Sequence, residues 1–407
     1  MRILSLTTIY PNEQTSAEGR SVAFLDQALA EIGVHGTTLV LKPWVPRWLA
    51  TRVDKWNHLA VTPRLETRNG TCVVFDRYLH VPPRYRLDQC ASSMARRAID
   101  LIKRYSFEFD LVHGQSIYPP APAARLVARY FGLPYVVTLR DDLSHLDSMY
   151  EQRGARGLFE PMFASVSAIF VHGPALERDA PEFLPSGSTT PVVLAANGVD
   201  VKGIETILKS LPTAPPRAWG EIVSVSSLMR YKGIHENLRA LKRVDELGLR
   251  QWRYTIVGDG PYRKQLEALA QELGLADRVV FKGRLPHREA IQAISRADIF
   301  CLPSWAEPFG NVYAEAAVCG RPSIGCRGCG AELTIRDGES GRLVPPKDVD
   351  ALAQALEFLL RHPERTREMG GVARRDIGRF TWQRTARLYR DVMEQILSNS
   401  QTRQVEA

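Results

Sequence analysis

The sequence predicts an α/β protein made of two doubly wound, Rossmann-like domains. The chain has 407 residues, about twice the ~100–200 of a typical domain. Short β-rich runs alternate with amphipathic helical stretches, the rhythm of a parallel sheet flanked by helices. That rhythm breaks once, at a polar and proline-rich stretch, and then restarts. Two domains of this kind imply a cleft.

The first half reads RILSLTT as a strand, GRSVAFLDQALAEIG as a helix and GTTLVLK as a strand, with DLVHG, APAARLVARYFG, PYVVTL and ASVSAIFVHG continuing the alternation. The interruption is NGVD at 197–200 followed by SLPTAPPRAWGE at 210–221. Beyond it, IVSVSSL, HENLRALKRVDELG, YTIVGDG, PYRKQLEALAQELG, RVVFKG, HREAIQAISRA and DIFCLPS repeat the pattern. The boundary falls at about 195–220, which gives domains at 1–196 and 197–380. Tyr262, Leu266, Leu269 and Leu273 recur at helical spacing and read as core.

Composition excludes several classes. Hydrophobic residues make up 44% and charged residues 24%, and no run of ~18 apolar residues exists to span a bilayer. MRILSLTTIYP suits a buried first strand better than a secretory signal, so the expected location is the cytoplasm. Of six cysteines, only Cys326 and Cys329 form a CxxC, without a second pair at metal spacing. Zinc or redox chemistry and a glycine-rich loop are its two readings. The net charge of +8 is uneven, with twelve Lys/Arg against five Asp/Glu from Arg47 to Arg104. Such a segment can meet an anionic surface. Overlapping its start, Trp44, Trp48, Arg52 and Trp56 stand at four-residue steps. If helical, the stretch 42–60 forms either a lipid-headgroup stripe or a lid packed on its own domain. No nucleic-acid module is recognisable.

Two turns invite chemistry. In YTIVGDGPY, Gly258 and Gly260 lie between a strand and a helix start, where backbone N–H groups can approach a phosphate or hydroxyl; a tight βα connection is the alternative. In SWAEPFGNVYAEAAVCG, Glu307 precedes a helix start and Glu315 lies about one turn inside it, with Gly320 as the stop. An acidic residue there can accept two hydrogen bonds from a ribose diol, with the N–H groups of Phe309, Gly310 and Asn311 facing the same ligand. Otherwise both glutamates complement the helix dipole.

PSWAEPFGNVYAEAAVCGRPSIG resembles the E-x7-E signature of the family 4 retaining glycosyltransferases of bacterial cell-surface polysaccharide type. SLMRYKG, IVGDGPYRKQLEALAQELGLADRVVFKGRLP and AELTIRDGESGRLVPPKD resemble further motifs of that family in the same order, and the likeness runs from about 1 to 385. It implies a GT-B fold, an acceptor site in the first domain, a nucleotide-sugar site in the second, and a last helix, 381–400, crossing back to complete the first. Lys232 would neutralise the donor diphosphate, unless it is a surface lysine. Glu315 would hold the ribose, and Glu307 with the amides of Phe309 to Asn311 the sugar. Two positions depart from the pattern. Ser226-Ser227 stand where the family carries GR, and Arg230 is the substitute cation. The family's His after the VVT strand is replaced within Thr138-Leu139-Arg140-Asp141-Asp142, leaving His113 as the nearest histidine and Arg140 or Asp141 as groups for the acceptor or leaving group. His113 reads equally as a structural residue, and Gly19 either as the flexible loop beneath the donor or as an ordinary turn.

The implied chemistry is metal-independent and retaining, by same-face attack, with a UDP- or GDP-sugar as substrate and no permanently bound cofactor. The partners would be a glycan or lipid-linked acceptor and, through 42–60, an anionic membrane. A nucleotide-sugar epimerase, a phosphorylase and a non-catalytic scaffold subunit are the competing readings.

Overall fold

The computed structural model describes residues 1–11, 19–45, 64–79, 87–140, 155–212 and 220–405, with side chains to 400. In chain order the strands of the first half are β1 (Arg2–Thr7), β2 (His35–Pro43), β3 (Arg64–Arg68), β4 (Thr71–Tyr78), β5 (Leu111–Gln115), β6 (Tyr135–Leu139), β7 (Ala168–Val171) and β8 (Val192–Leu194). Its helices are α1 (Arg20–Glu31), α2 (Leu87–Tyr105), α3 (Pro120–Phe131), α4 (Ala155–Ser165) and α5 (Pro174–Asp179). The second half has strands β9 (Glu221–Val225), β10 (Arg253–Val257), β11 (Val279–Gly283), β12 (Ile299–Cys301), β13 (Ser323–Cys326) and β14 (Gly341–Val344). Its helices are α6 (Val201–Lys209), α7 (Ile234–Glu246), α8 (Arg263–Glu272), α9 (His287–Arg296), α10 (Asn311–Val318), α11 (Ala331–Thr334), α12 (Val349–Arg361) and α13 (Pro363–Asp376), and α14 (Trp382–Val405) closes the chain.

The chain divides into two compact units. One comprises 1–172, 176–198 and 382–407, and the other 173–175 and 199–381. The first is built on an eight-stranded sheet of order β3-β4-β2-β1-β5-β6-β7-β8. Every pairing is parallel except β3 with β4, an antiparallel hairpin across Asn69-Gly70. Both turn residues have positive φ, 48° and 82°, which is why Asn-Gly serves there. Reading alternation alone misses this hairpin.

Side chains alternate across each strand, so the two faces build separate cores. Leu4, Leu6, Val112, Val137 and Ile169 point one way, towards α2, α3 and α4. Ile3, Leu111, Val136, Ala168 and Phe170 point the other way and are covered by Leu25 and Leu29 of α1 and by α14. The helical stripe on α14 is centred on Trp382, Ala386, Tyr389 and Met393, with Leu388, Val392 and Ile396 on its flank. The Tyr389 ring stacks on Phe170 at 3.9 Å.

The second unit carries a wholly parallel sheet of order β11-β10-β9-β12-β13-β14. Of the four residues read as core, Leu266 is buried and Tyr262, Leu269 and Leu273 are half-buried, while Ala270 supplies the second buried position of α8. Asp245, at the end of α7, accepts hydrogen bonds from the Trp252 indole and the Arg278 guanidinium, both at 2.8 Å. That guanidinium also lies 4.3 Å above the indole ring. Burial alone would raise the Asp245 carboxyl, but the Arg278 and Trp252 hydrogen bonds and the Arg278 charge outweigh it and hold it below the usual range. Asp245→Ala takes the nearest carboxylate from the half-buried Arg278 guanidinium, leaving Asp277 at 3.7 Å, and is expected to cost about 1–3 kcal/mol of stability. The depressed value means that this stabilisation is present above the unfolded carboxylate range and fades as pH falls through the folded value. Denaturation of wild type and variant should therefore converge at acid pH.

Among the described residues no helix is long and apolar enough to cross a membrane.

Candidate functional site

In an open parallel sheet, ligands bind beyond the carboxyl ends of the strands, where the winding direction reverses. In the second unit the reversal lies between β9 and β12, and the loops leaving these two strands carry Lys232 and Glu307. Lys232 ends a short 3₁₀ turn, Arg230–Lys232. Gly233 follows with φ 72°, where a Cβ would stand 2.3 Å from the Pro303 carbonyl oxygen. Trp305 N–H donates to the Tyr231 carbonyl at 3.1 Å and joins the two loops.

Lys232 Nζ donates to Glu307 Oε2 at 2.5 Å, with side chains 12% and 15% exposed. The pair sits at the end of the sheet, partly shielded from solvent. Behind it, Gly330 N–H donates to the Glu307 carbonyl at 2.7 Å. Gly310 takes φ 75° at the start of α10, packed so that a Cβ would meet the Tyr313 ring at 2.4 Å. Phe309 is buried, its ring edge-on to Phe380 at 5.8 Å. Asn311 is the exposed first residue of α10. One turn further on, Glu315 Oε1 meets His287 Nε2 at 2.9 Å. His287 opens α9, on another strand–helix connection, and no spacing rule links it to Glu315.

The structure brings Lys232, Glu307, the start of α10 and Glu315 to one end of the sheet. Arg230 is exposed at the beginning of the 3₁₀ turn. Gly258 and Gly260 stand where backbone from other loops comes close. A Cβ on Gly258 would stand 1.8 Å from the Ser226 carbonyl oxygen, and one on Gly260 2.5 Å from that of Leu228. Their N–H groups already donate to Gly283 O and to Asp259 Oδ1, both at 2.8 Å. The GxG turn thus lets two loops touch. The CxxC cysteines are buried thiols that form no disulfide, and burial pushes the Cys326 thiol well up. Their loop supplies Gly330 as the backstop for Glu307, which favours the glycine-rich-loop reading.

In the first unit the sheet reverses between β1 and β5. Gly19, φ 72°, precedes α1 and lies so close to the exit of β1 that a Cβ would be 2.5 Å from Tyr10 N. Arg140, one residue beyond β6, donates from Nη1 to Ser21 Oγ at 3.2 Å and to His172 Nε2 at 3.0 Å, and from Nη2 to Gln115 Oε1. His172 stands just past β7. Its Nδ1 donates to the Ala195 carbonyl at 2.7 Å, so Nε2 carries the lone pair.

His113 is fully buried within β5. Its Nε2 is 2.7 Å from Thr138 Oγ1, which in turn is 2.9 Å from the Tyr389 hydroxyl. Burial first, then the Arg140 and His172 charges, push it down to about 3. Its catalytic reading gives way to a structural one, because α14 covers its face of the sheet. Asp141, Asp142 and the 46–60 part of the aromatic-basic stretch lie outside the described residues.

Solved structures match this chain over nearly its full length. A sucrose-phosphate synthase from Thermosynechococcus elongatus matches with a TM-score of 0.76 at 20% identity, covering 98% of this chain and 100% of that one. An Anabaena protein crystallised with UDP and glucose matches at 0.68 and 18% identity over 97% and 100%. The fold is therefore GT-B.

Residues 219–376 match the family described as glycosyl transferases group 1. A GDP-mannose-dependent α-(1-6)-phosphatidylinositol monomannoside mannosyltransferase from Mycolicibacterium smegmatis is 38% identical over 40% of this chain and 44% of its own length. A protein of Bacillus subtilis named as a teichuronic acid biosynthesis glycosyltransferase is 25% identical over 88% of each.

Proposed function

We propose that this protein is a retaining, metal-independent glycosyltransferase. In this reading it moves a sugar from a UDP- or GDP-sugar to a hydroxyl of a glycan or lipid-linked acceptor in the assembly of a cell-surface polysaccharide or glycolipid. The observation that carries the proposal is the group at the end of the second sheet: Lys232 paired with Glu307 across the β9–β12 reversal, with Glu315 one turn into α10. The names of the Mycolicibacterium and Bacillus relatives support the acceptor class, and the UDP complexes of the Anabaena neighbour support the donor class.

The second unit binds the donor and the first the acceptor. Lys232, with Arg230 beside it, takes the place of a metal on the diphosphate. Glu315 receives the ribose hydroxyls, exchanging its bond with His287. Glu307 and the N–H groups at the start of α10 hold the transferred sugar, and the glycines at 258 and 260 shape the wall behind it. The bond from the anomeric carbon to the diphosphate oxygen breaks, and the acceptor oxygen bonds to that carbon on the same face. The acceptor's proton passes to the departing diphosphate. Arg140 stabilises the charge left on that group, with Gly19 and the start of α1 assisting, and Asp141 orients the acceptor. Catalysis of this kind is electrostatic and positional, and peripheral contact of 42–60 with an anionic membrane would bring a lipid-linked acceptor near.

Thermal denaturation with UDP-, GDP- and ADP-sugars tests the donor site. A ligand at 100 times its dissociation constant adds ~2.7 kcal/mol. One base class should raise the wild-type midpoint, while Glu315→Ala and Lys232→Ala should not respond. If no nucleotide sugar shifts the wild type, the donor reading is wrong and a scaffold role replaces it.

A further inference from the structure

We infer that His172 is a positioning residue of the transfer reaction: its neutral imidazole, locked in one tautomer, holds the Arg140 guanidinium in the orientation that meets the ligand. The inference rests on the role proposed above for Arg140. Three observations lead to it. The Ala195 carbonyl can only accept, so His172 Nδ1 must carry the proton and Nε2 the lone pair. That lone pair faces Arg140 Nη1 at 3.0 Å, and the same nitrogen is shared with Ser21 Oγ at 3.2 Å. The other nitrogen, Nη2, donates to the fully buried Gln115. A guanidinium is planar, so acceptors on both terminal nitrogens fix its rotation as well as its place.

Every acceptor in this set is neutral. A carboxylate in the place of His172 would orient Arg140 equally well but would cancel the charge an anionic ligand needs. A neutral imidazole orients the cation without adding a negative charge beside it. His172 is 3% exposed, and burial first, then the Arg140 charge, push it down to about 3. It thus stays an acceptor throughout the range in which the enzyme can be assayed. The sequence shows only a histidine after an apolar strand; its partner is 32 residues away.

The test compares His172→Gln, His172→Asn and His172→Leu with Arg140→Met. It follows release of nucleoside diphosphate from UDP-glucose or GDP-mannose, whichever stabilises the wild type. Glutamine reaches the Nε2 position and can still accept from Arg140; asparagine reaches only the Nδ1 position. His172→Asn and His172→Leu should lower kcat by about 10- to 100-fold, leaving KM for the nucleotide sugar within about twofold. His172→Gln should recover to within about threefold of wild type, with an unchanged pH profile between about 5 and 8. Should His172→Leu fail to fold, the glutamine–asparagine contrast decides the matter.

Full kcat in His172→Asn overturns the proposal. So does a glutamine variant as slow as the asparagine one, or an ionisation near neutrality that glutamine removes, because either makes the histidine itself the reacting group. If Arg140→Met loses kcat and the His172 variants do not, only the positioning role fails. Full kcat in Arg140→Met sinks the role of Arg140 and the inference with it.

Discussion

Gly330→Ala is expected to cost this protein nearly all of its transfer activity although no group of Gly330 touches a ligand in the proposed mechanism. A Cβ there would stand 2.4 Å from both Phe309 Cα and the Pro308 carbonyl oxygen, and 2.6 Å from Phe309 N. All three are backbone atoms, which cannot swing aside. The Pro308–Phe309 loop must retreat, and it lies between Glu307 and the start of α10. Gly330 N–H also holds the Glu307 carbonyl, so the same methyl loosens the carboxylate from both sides. Overpacking costs typically 1–3 kcal/mol, and displacing a positioned group by about 1 Å can cost ~100-fold in rate. The expected result is a kcat/KM lowered by about 100-fold with a fall in thermal midpoint of a few degrees. Gly371→Ala is the control. It lies within α13, where a Cβ meets nothing closer than the flexible Arg375 Nη1 at 3.6 Å. Replacing a helical glycine there should stabilise by about 0.5–1 kcal/mol and leave kcat/KM unchanged. Equal activity in Gly330→Ala and wild type would refute the backstop role.

The contrast between these glycines marks how far the sequence alone could be read. Alternation of β-rich and amphipathic runs predicts both parallel sheets, because that periodicity depends only on neighbours a few residues apart. Glu307 and Glu315 are legible for the same reason, since one helix start relates them. Lys232 is legible through its KG motif, although its ion pair spans 75 positions. His287 and His172 are invisible, because their partners sit on other strand–helix connections, 28 and 32 residues away. The purpose of Gly258, Gly260 and Gly330 is hidden likewise. Glycine in a loop shows that something comes close but not whether it is a phosphate or another stretch of backbone. The Asn69-Gly70 hairpin carried a local signal, a two-residue turn between β-prone runs, and could have been found.

Asp26 carries the second large effect, on stability rather than turnover. It lies on the buried side of α1, 5% exposed, and accepts a hydrogen bond from Thr38 Oγ1 at 2.7 Å. Burial raises its carboxyl to about 7, against the opposing pull of Thr38, the Arg140 charge and Tyr10. An unfolded aspartate titrates near 3.8, so between the two values the folded chain holds a proton that the unfolded chain has released. Stability therefore falls as pH rises through this interval and levels off above the folded value. From pH 5 to pH 7 the loss is about 2 kcal/mol, because the slope of about 1.36 kcal/mol per unit eases as the folded carboxyl begins to ionise. Asp26→Asn keeps an acceptor oxygen for Thr38 and cannot ionise, so it should be more stable than wild type at pH 8. That advantage should shrink by about 2–3 kcal/mol at pH 5. Urea denaturation of both proteins at the two pH values measures the difference. If the gap between them is the same at pH 5 and pH 8, Asp26 ionises in the folded protein as it does in the unfolded one. The polar layer around Arg140 would then admit enough water to solvate a carboxylate. Arg140 would be partly neutralised from beneath at every working pH, which would weaken the case for His172 as an orienting group chosen for its lack of charge.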